Sequence, residues 1–165
     1  MNLRDLQNFI KEIKERRPEM RPRNLEEVRK EVEAMRDSSD EPPDEKIKDF
    51  VIGLRRWGIN TEASCQGHFF HGFPFPWIDV SWESLENLAH LVGLHWWNLS
   101  EGGKKEPASG QTSWVIKPIG TFLRIMPEDK GRWKLRKLQK EAIGFGKFLQ
   151  DIQEYFFDGL EEGGS

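Results

Sequence analysis

Apolar residues recur at helical spacing through the first third of the chain, alternate with polar ones in the middle, and return to helical spacing at the end. Leu3, Leu6, Ile10 and Ile13 form a narrow 3-4-3 stripe that Asn2 can cap, which predicts a first helix. Pro18, Pro22 and the neighbouring arginines end it. Asn24 then caps a second helix with Leu25, Val28, Val32 and Met35 on one face, and Glu27, three residues on, suits a capping box. A third helix opens at Asp44 and carries Ile47, Phe50, Val51, Leu54 and Trp57, with Gly58 placed to follow its last turn.

After Gly58 the period falls to two. Ile59 to Ser64 suits a short strand; in Trp77 to Trp82, Ile78, Val80 and Trp82 share one face against Trp77, Asp79 and Ser81. Ser84 is placed to cap a helix bearing Leu85, Leu88, Leu91 and Val92. A polar loop over 100–112 leads into two apolar runs, Trp114 to Lys117 and Phe122 to Met126, which flank Pro118-Ile119-Gly120-Thr121 as a hairpin. The last helix is the longest, with Leu135, Leu138, Ala142, Phe145, Leu149, Ile152 and Phe156 on one stripe. Gly144 and Gly146 interrupt it. Each costs about 1 kcal/mol relative to alanine, so close backbone packing is the expected reason to keep them.

This order predicts an α+β fold: a two-layer antiparallel sheet of about four strands packed by helices, with an N-terminal helical arm. The polar, doubly proline-stopped stretch 37–43 reads as a linker between an arm over 1–36 and an α+β core domain over 44–160, with 161–165 as a flexible tail.

Composition narrows the class. Hydrophobic residues make up 36% and charged residues 32%, a polar balance that seven Trp and eleven Phe offset by burying large areas per ring. A net charge of −3 provides no global basic field for nucleic acid. The single cysteine rules out an internal disulfide and fits a reducing compartment. No apolar run approaches the roughly 20 residues of a membrane span, and Met1 to Asp5 lacks the apolar core of a secretory signal. The expectation is a cytoplasmic protein with no membrane association.

Chemistry concentrates at Thr61-Glu62-Ala63-Ser64-Cys65-Gln66-Gly67-His68-Phe69-Phe70-His71, which holds the only cysteine and two of four histidines. Cys65-x-x-His68 supplies two metal donors from one turn, His71 a third, and Asp79 on the next strand a fourth ligand or a carboxylate to orient an imidazole. That set suits zinc or another divalent metal at an open site, since a structural zinc site uses two ligand pairs and the chain has one. A second reading makes Cys65 a nucleophile with His68 or His71 as its base, which requires a lowered thiol pKa. A third makes Ser64, Cys65, Gln66 and Gly67 a backbone nest for a small polar or anionic ligand, walled by His68, Trp77 and Phe73-Pro74-Phe75-Pro76. In the plainest reading Cys65 is a small buried hydrophobe and the histidines line an aromatic loop. The catalytic candidates are therefore Cys65, His68 and Asp79, and the ligand-binding candidates Ser64, Gln66, Gly67 and Trp77.

The combination of Gly58-Ile59-x-Thr61, Ser64-Cys65-x-Gly67-His68 and Pro76-Trp77-x-Asp79 resembles small prokaryotic and phage-type proteins of unassigned function. More distantly, Ser64-Cys65-Gln66-Gly67 is similar to the Ser-Cys-x-Gly turn of the wybutosine-synthesis tRNA methyltransferases, which follow it with arginine where this chain has His68. The resemblance covers roughly residues 45 to 82 and implies a shared fold core more than a shared reaction. The chain has no glycine-rich nucleotide loop to support bound S-adenosylmethionine.

Two features lie outside this cluster. Lys130 to Lys140 packs six basic residues around Trp133, and positive charge in the first turns of a helix opposes its dipole, so the segment suits nucleic acid or a solvated face. The stripes of the first two helices suit a homodimer surface or a cover for the core. His90 and His95-Trp96-Trp97 read as packing. Three functional classes follow: a ligand- or metal-binding pocket at the Ser-Cys-x-Gly-His loop, a metal-assisted or RNA-modifying enzyme using Cys65, His68 and Asp79, and an oligomeric interaction or regulatory protein.

Overall fold

The computed structural model describes residues 21–88 and 112–151, with Arg4, Asn8 and Leu91 in addition. Apart from Arg4 and Asn8, the expected first helix over Leu3 to Ile13 lies outside the described residues, as do His90, His95-Trp96-Trp97, the end of the last helix and the tail. Among the described residues, the helices α1 (Leu25–Ala34), α2 (Glu45–Arg56) and α3 (Leu135–Asp151) accompany the strands β1 (Thr61–Cys65), β2 (Trp77–Ser81), β3 (Trp114–Ile119) and β4 (Phe122–Pro127), and residues 85–88 are also helical. The strands make one sheet in the order β1-β2-β4-β3, with every pairing antiparallel. The fold is α+β, as the pattern predicts.

Local signals explain the elements. The Asn24 side chain accepts the Glu27 N–H at 3.1 Å, so the predicted cap starts α1. Gly58 follows α2 with φ +77. The helix expected after Ser84 opens at Leu85, with Leu85 and Leu88 buried; Ser84 itself ends a 3-10 turn over Trp82–Ser84, and its hydroxyl accepts the Asn60 N–H at 2.6 Å, tying that turn to the residue before β1.

Alternation gives the sheet one apolar face. Ile78, Val80, Leu123 and Ile125 are completely buried. They join a core built with Ile47, Phe50, Val51 and Leu54 of α2 and Ala142 and Leu149 of α3. Val28 and Val32 of α1 are also completely buried in it, so the second helix of the expected arm is part of the core. Within the stretch 37–43, residues 37–41 form a turn: the Asp37 carboxylate accepts the Ser39 and Glu41 N–H groups at 2.8 and 2.9 Å.

Arg55 joins three elements. It donates to Glu31 of α1, to the Thr61 hydroxyl at 2.7 Å and to the Thr61 carbonyl at 2.8 Å. Glu31 also pairs with Arg23 at 2.6 Å, and the two arginines lower its carboxyl pKa, with Arg23 the larger influence. A carboxylate with a depressed folded-state pKa stabilises above the ordinary glutamate range and loses that contribution as the pH falls through its folded value. Glu31→Gln should therefore lower the denaturant midpoint at neutral pH, with the gap to wild type closing under acid; a gap independent of pH would contradict the pairing.

α2 and α3 cross closely because glycines face each other. A Cβ on Gly53 would lie 2.8 Å from the Gly146 carbonyl oxygen, and one on Gly146 would lie 2.2 Å from the Asp49 carbonyl carbon. Around this contact Phe50, Trp114 and Phe145 meet with ring centroids 5.6 to 5.9 Å apart. The Trp57 indole N–H donates to the Leu149 carbonyl at 2.8 Å, and Arg56 donates to the Gln150 carbonyl, so the end of α2 and the residue after it are tied to α3. Gly144 has no such role: a Cβ there would meet nothing within 4 Å.

Candidate metal centre

The end of β1, the start of β2 and the starts of α2 and α3 gather at one end of the sheet, and the predicted loop lies among them. Gly67 permits the bend. Its φ is +82, and a Cβ would meet the Leu135 Cδ1 at 2.6 Å and the Phe75 carbonyl carbon at 2.7 Å. Side chains larger than hydrogen fail there for both reasons.

Gln66 ties the loop to both helices. Its backbone N–H donates to the Asp44 carboxylate at 3.0 Å, its side-chain oxygen accepts the Lys46 N–H at 3.2 Å, and its carbonyl accepts from Gln139 at 2.9 Å. Asp44 makes no side-chain cap bond to α2; the Gln66 side chain serves an N-terminal N–H of that helix instead. The Gly67 N–H donates to the Cys65 Sγ at 3.3 Å, and the His68 N–H donates to the Phe73 carbonyl at 3.0 Å. Of the Ser64–Gly67 stretch expected as a backbone nest, the Gln66 and Gly67 N–H groups are thus engaged within the protein, as is that of His68.

Asp44, Cys65 and His68 converge. Each offers one donor atom, these atoms lie within 4.8 Å of one another, and all three residues are partly buried. Bonds of 2.0 to 2.3 Å about a tetrahedral ion separate donors by roughly 3.3 to 3.8 Å, so a side-chain shift of about 1 Å closes the set on an ion. Cys65 and His68 are the predicted ligands, whereas Asp44 is not. His71 is outside the converging set; it is exposed and its ring stacks on that of His68, with centroids 4.2 Å apart.

Asp79 takes a different role from the one expected. Only 5% exposed, it forms a bidentate ion pair with Arg124 on the adjacent β4, at 2.7 and 2.8 Å. The register sets Asp79 opposite Arg124, and the guanidinium lies over the Trp77 ring at 4.1 Å and the Phe73 ring at 5.8 Å. Both carboxylate oxygens are committed to that arginine, so Asp79 is a structural anion and not a fourth donor. Trp77 correspondingly packs on Arg124, although with Ser64 and Asp44 it also lines a groove of about 1010 Å³ between β1 and the 35–45 turn.

The thiol's electrostatics bear on the nucleophile reading. Burial pushes the Cys65 pKa up, the Gly67 N–H pulls it down, and the charge and hydrogen bond of Asp44 push it up again. A resting nucleophile needs the opposite balance, and this thiol stays protonated until something displaces its proton.

Sequence reasoning missed Asp44 because it precedes Gln66 by 22 residues and has the ordinary look of a helix cap. Arg124 was legible in principle: it is the charged residue between Leu123 and Ile125 on a predicted strand, facing away from the core as Asp79 does. Compared with protein-family models, with curated proteins and with solved structures, the chain matches none. Among the described residues no helix is long and apolar enough to cross a membrane.

Proposed function

We propose that this protein binds one zinc-class divalent ion through Asp44, Cys65 and His68, with a coordination position left for water or a small polar ligand. The observation that carries the reading is the convergence of a carboxylate, a thiol and an imidazole from two separate segments within 4.8 Å. Mixed oxygen, sulfur and nitrogen donors suit zinc and its neighbours, whereas magnesium and calcium prefer oxygen alone. The Gln66 N–H orients the Asp44 carboxylate as a hydrogen-bonding partner orients a metal ligand elsewhere. Three protein ligands leave the arrangement that activates a bound water. Asp44 also lines the groove beside β1, so a ligand seated there would adjoin the ion.

The test uses tag-free full-length protein. Elemental analysis after zinc loading should give one ion per chain, and cobalt substitution should produce a thiolate-to-cobalt charge-transfer band. Asp44→Ala, Cys65→Ser and His68→Ala should each weaken binding by at least about tenfold, since even supporting partners of metal ligands cost 10- to 100-fold. Circular dichroism checks that each variant folds. Substoichiometric metal, or three folded variants that bind as wild type does, would sink the proposal.

A further inference from the structure

Several basic residues in the described part of the chain are neutralised. Arg23, Arg29, Lys48, Arg55, Arg124 and Lys134 all form ion pairs with carboxylates. The 3-10 turn before α3 and the first turns of that helix bring unpaired cations close together. Arg132, Arg136 and Lys140 recur every four residues and are exposed, and none of them forms an ion pair among the described residues. Lys137 beside them is exposed and likewise unpaired. Glu141, the nearest acid on the helix, is occupied by the Thr112 N–H at 2.9 Å and the Trp114 indole at 3.1 Å.

Trp133 follows Arg132 in a 3-10 turn, Arg132–Lys134, that leads into α3, and it is 92% exposed. An indole left in water gives up the apolar burial that accounts for most tryptophan positions, so its exposure has no folding rationale. The first turn of α3 contains no acidic residue, and the positive charges there oppose the helix dipole. Both features cost the isolated protein stability, and both are satisfied by a polyanion that carries flat rings. Gly144 and Lys147 continue the exposed face, and Gly144 adds no bulk to it.

From this surface we infer that the Arg132–Lys140 stripe binds single-stranded nucleic acid, its cations on successive phosphates and Trp133 stacked on a base. Stacking and phosphate contacts together are the way sequence-tolerant single-strand binders work. An anionic membrane fits less well: positions 132, 136, 140, 144 and 147 are Arg, Arg, Lys, Gly and Lys, with no apolar stripe among them to insert. The inference is independent of the metal reading, because none of these residues belongs to the Asp44–Cys65–His68 set.

Fluorescence anisotropy with labelled 12-mers of oligo-U and oligo-dT, on the full chain, tests it. Binding should appear at low salt and weaken with added salt, with a log–log slope of about −2 to −3 for three or four phosphates at roughly −0.7 each. Trp133→Ala should weaken binding about tenfold at constant salt, within the range for loss of one stacked base. Arg136→Gln with Lys140→Gln should flatten the slope by about 1.4. Three results would overturn the inference: no binding at low salt, Trp133→Ala binding as wild type does, or sedimentation with phosphatidylserine vesicles under conditions where the oligonucleotides fail to bind. Heparin competing equally with wild type and with Trp133→Ala would also overturn the stacking contact.

Discussion

Gly146→Ala should destabilise the protein by at least about 3 kcal/mol, at the upper end of what overpacking usually costs. The added methyl would stand 2.2 Å from the carbonyl carbon of Asp49, 2.3 Å from its oxygen and 2.4 Å from the Phe50 nitrogen. All three are backbone atoms of α2 and cannot rotate away. Relief requires the helices to separate, which loosens the Phe50–Phe145–Trp114 cluster and the Trp57-to-Leu149 hydrogen bond. A domain of this size is typically stable by only 5 to 15 kcal/mol, so much of its stability is at stake. Gly144→Ala, two residues earlier in the same helix, should do the reverse and stabilise by about 0.5 to 1 kcal/mol, since its methyl meets open space. Urea denaturation of both variants settles the comparison; a shared sign would refute the packing described.

Asp79→Ala should cost about 3 to 5 kcal/mol, the usual penalty for removing one partner of a buried ion pair. Arg124 would keep its charge, with its side chain only 16% exposed and held between Trp77 and Phe73, and would lose both oxygens it donates to. Arg124→Ala should cost a similar amount by stranding Asp79. The double variant should be less destabilised than the sum of the two singles, a coupling that a double-mutant cycle reads directly. The same variants separate structure from site. If Asp79 serves Arg124 alone, Asp79→Asn leaves metal affinity nearly unchanged; a drop of tenfold or more would return Asp79 to the metal centre.

Much of the fold was legible because its signals are local. The stripe Ile47, Phe50, Val51, Leu54 marks α2, and the Asn24 cap marks the start of α1. The alternation of Ile78 and Val80 with Asp79 reports which side of β2 meets the core. The two helix glycines were read alike from sequence, yet only Gly146 lies against a neighbour. Nothing local distinguishes them, because the difference is the presence of α2 across the contact. The site was half legible for a similar reason. Cys65 and His68 share a turn and announce themselves; Asp44 reaches them only because the Gln66 N–H and side chain fasten the start of α2 to the end of β1.

Asp79 shows how composition can mislead when register is unknown. A carboxylate one strand away from Cys-x-x-His has the chemistry of a ligand, and only the pairing of β2 with β4 reveals the arginine opposite it. By itself the sequence determined the α+β class, the apolar faces of the elements, the Asn24 cap and the segment where reactive side chains gather. Each of these depends on residues within a few positions of one another. Tertiary structure alone decided which carboxylate joins Cys65 and His68, which is consumed by an ion pair, which glycine a neighbour requires and which basic residues remain unneutralised. Those outcomes depend on strand register and helix contacts between residues far apart in the chain, where the donor–donor and charge–charge distances that govern them are set.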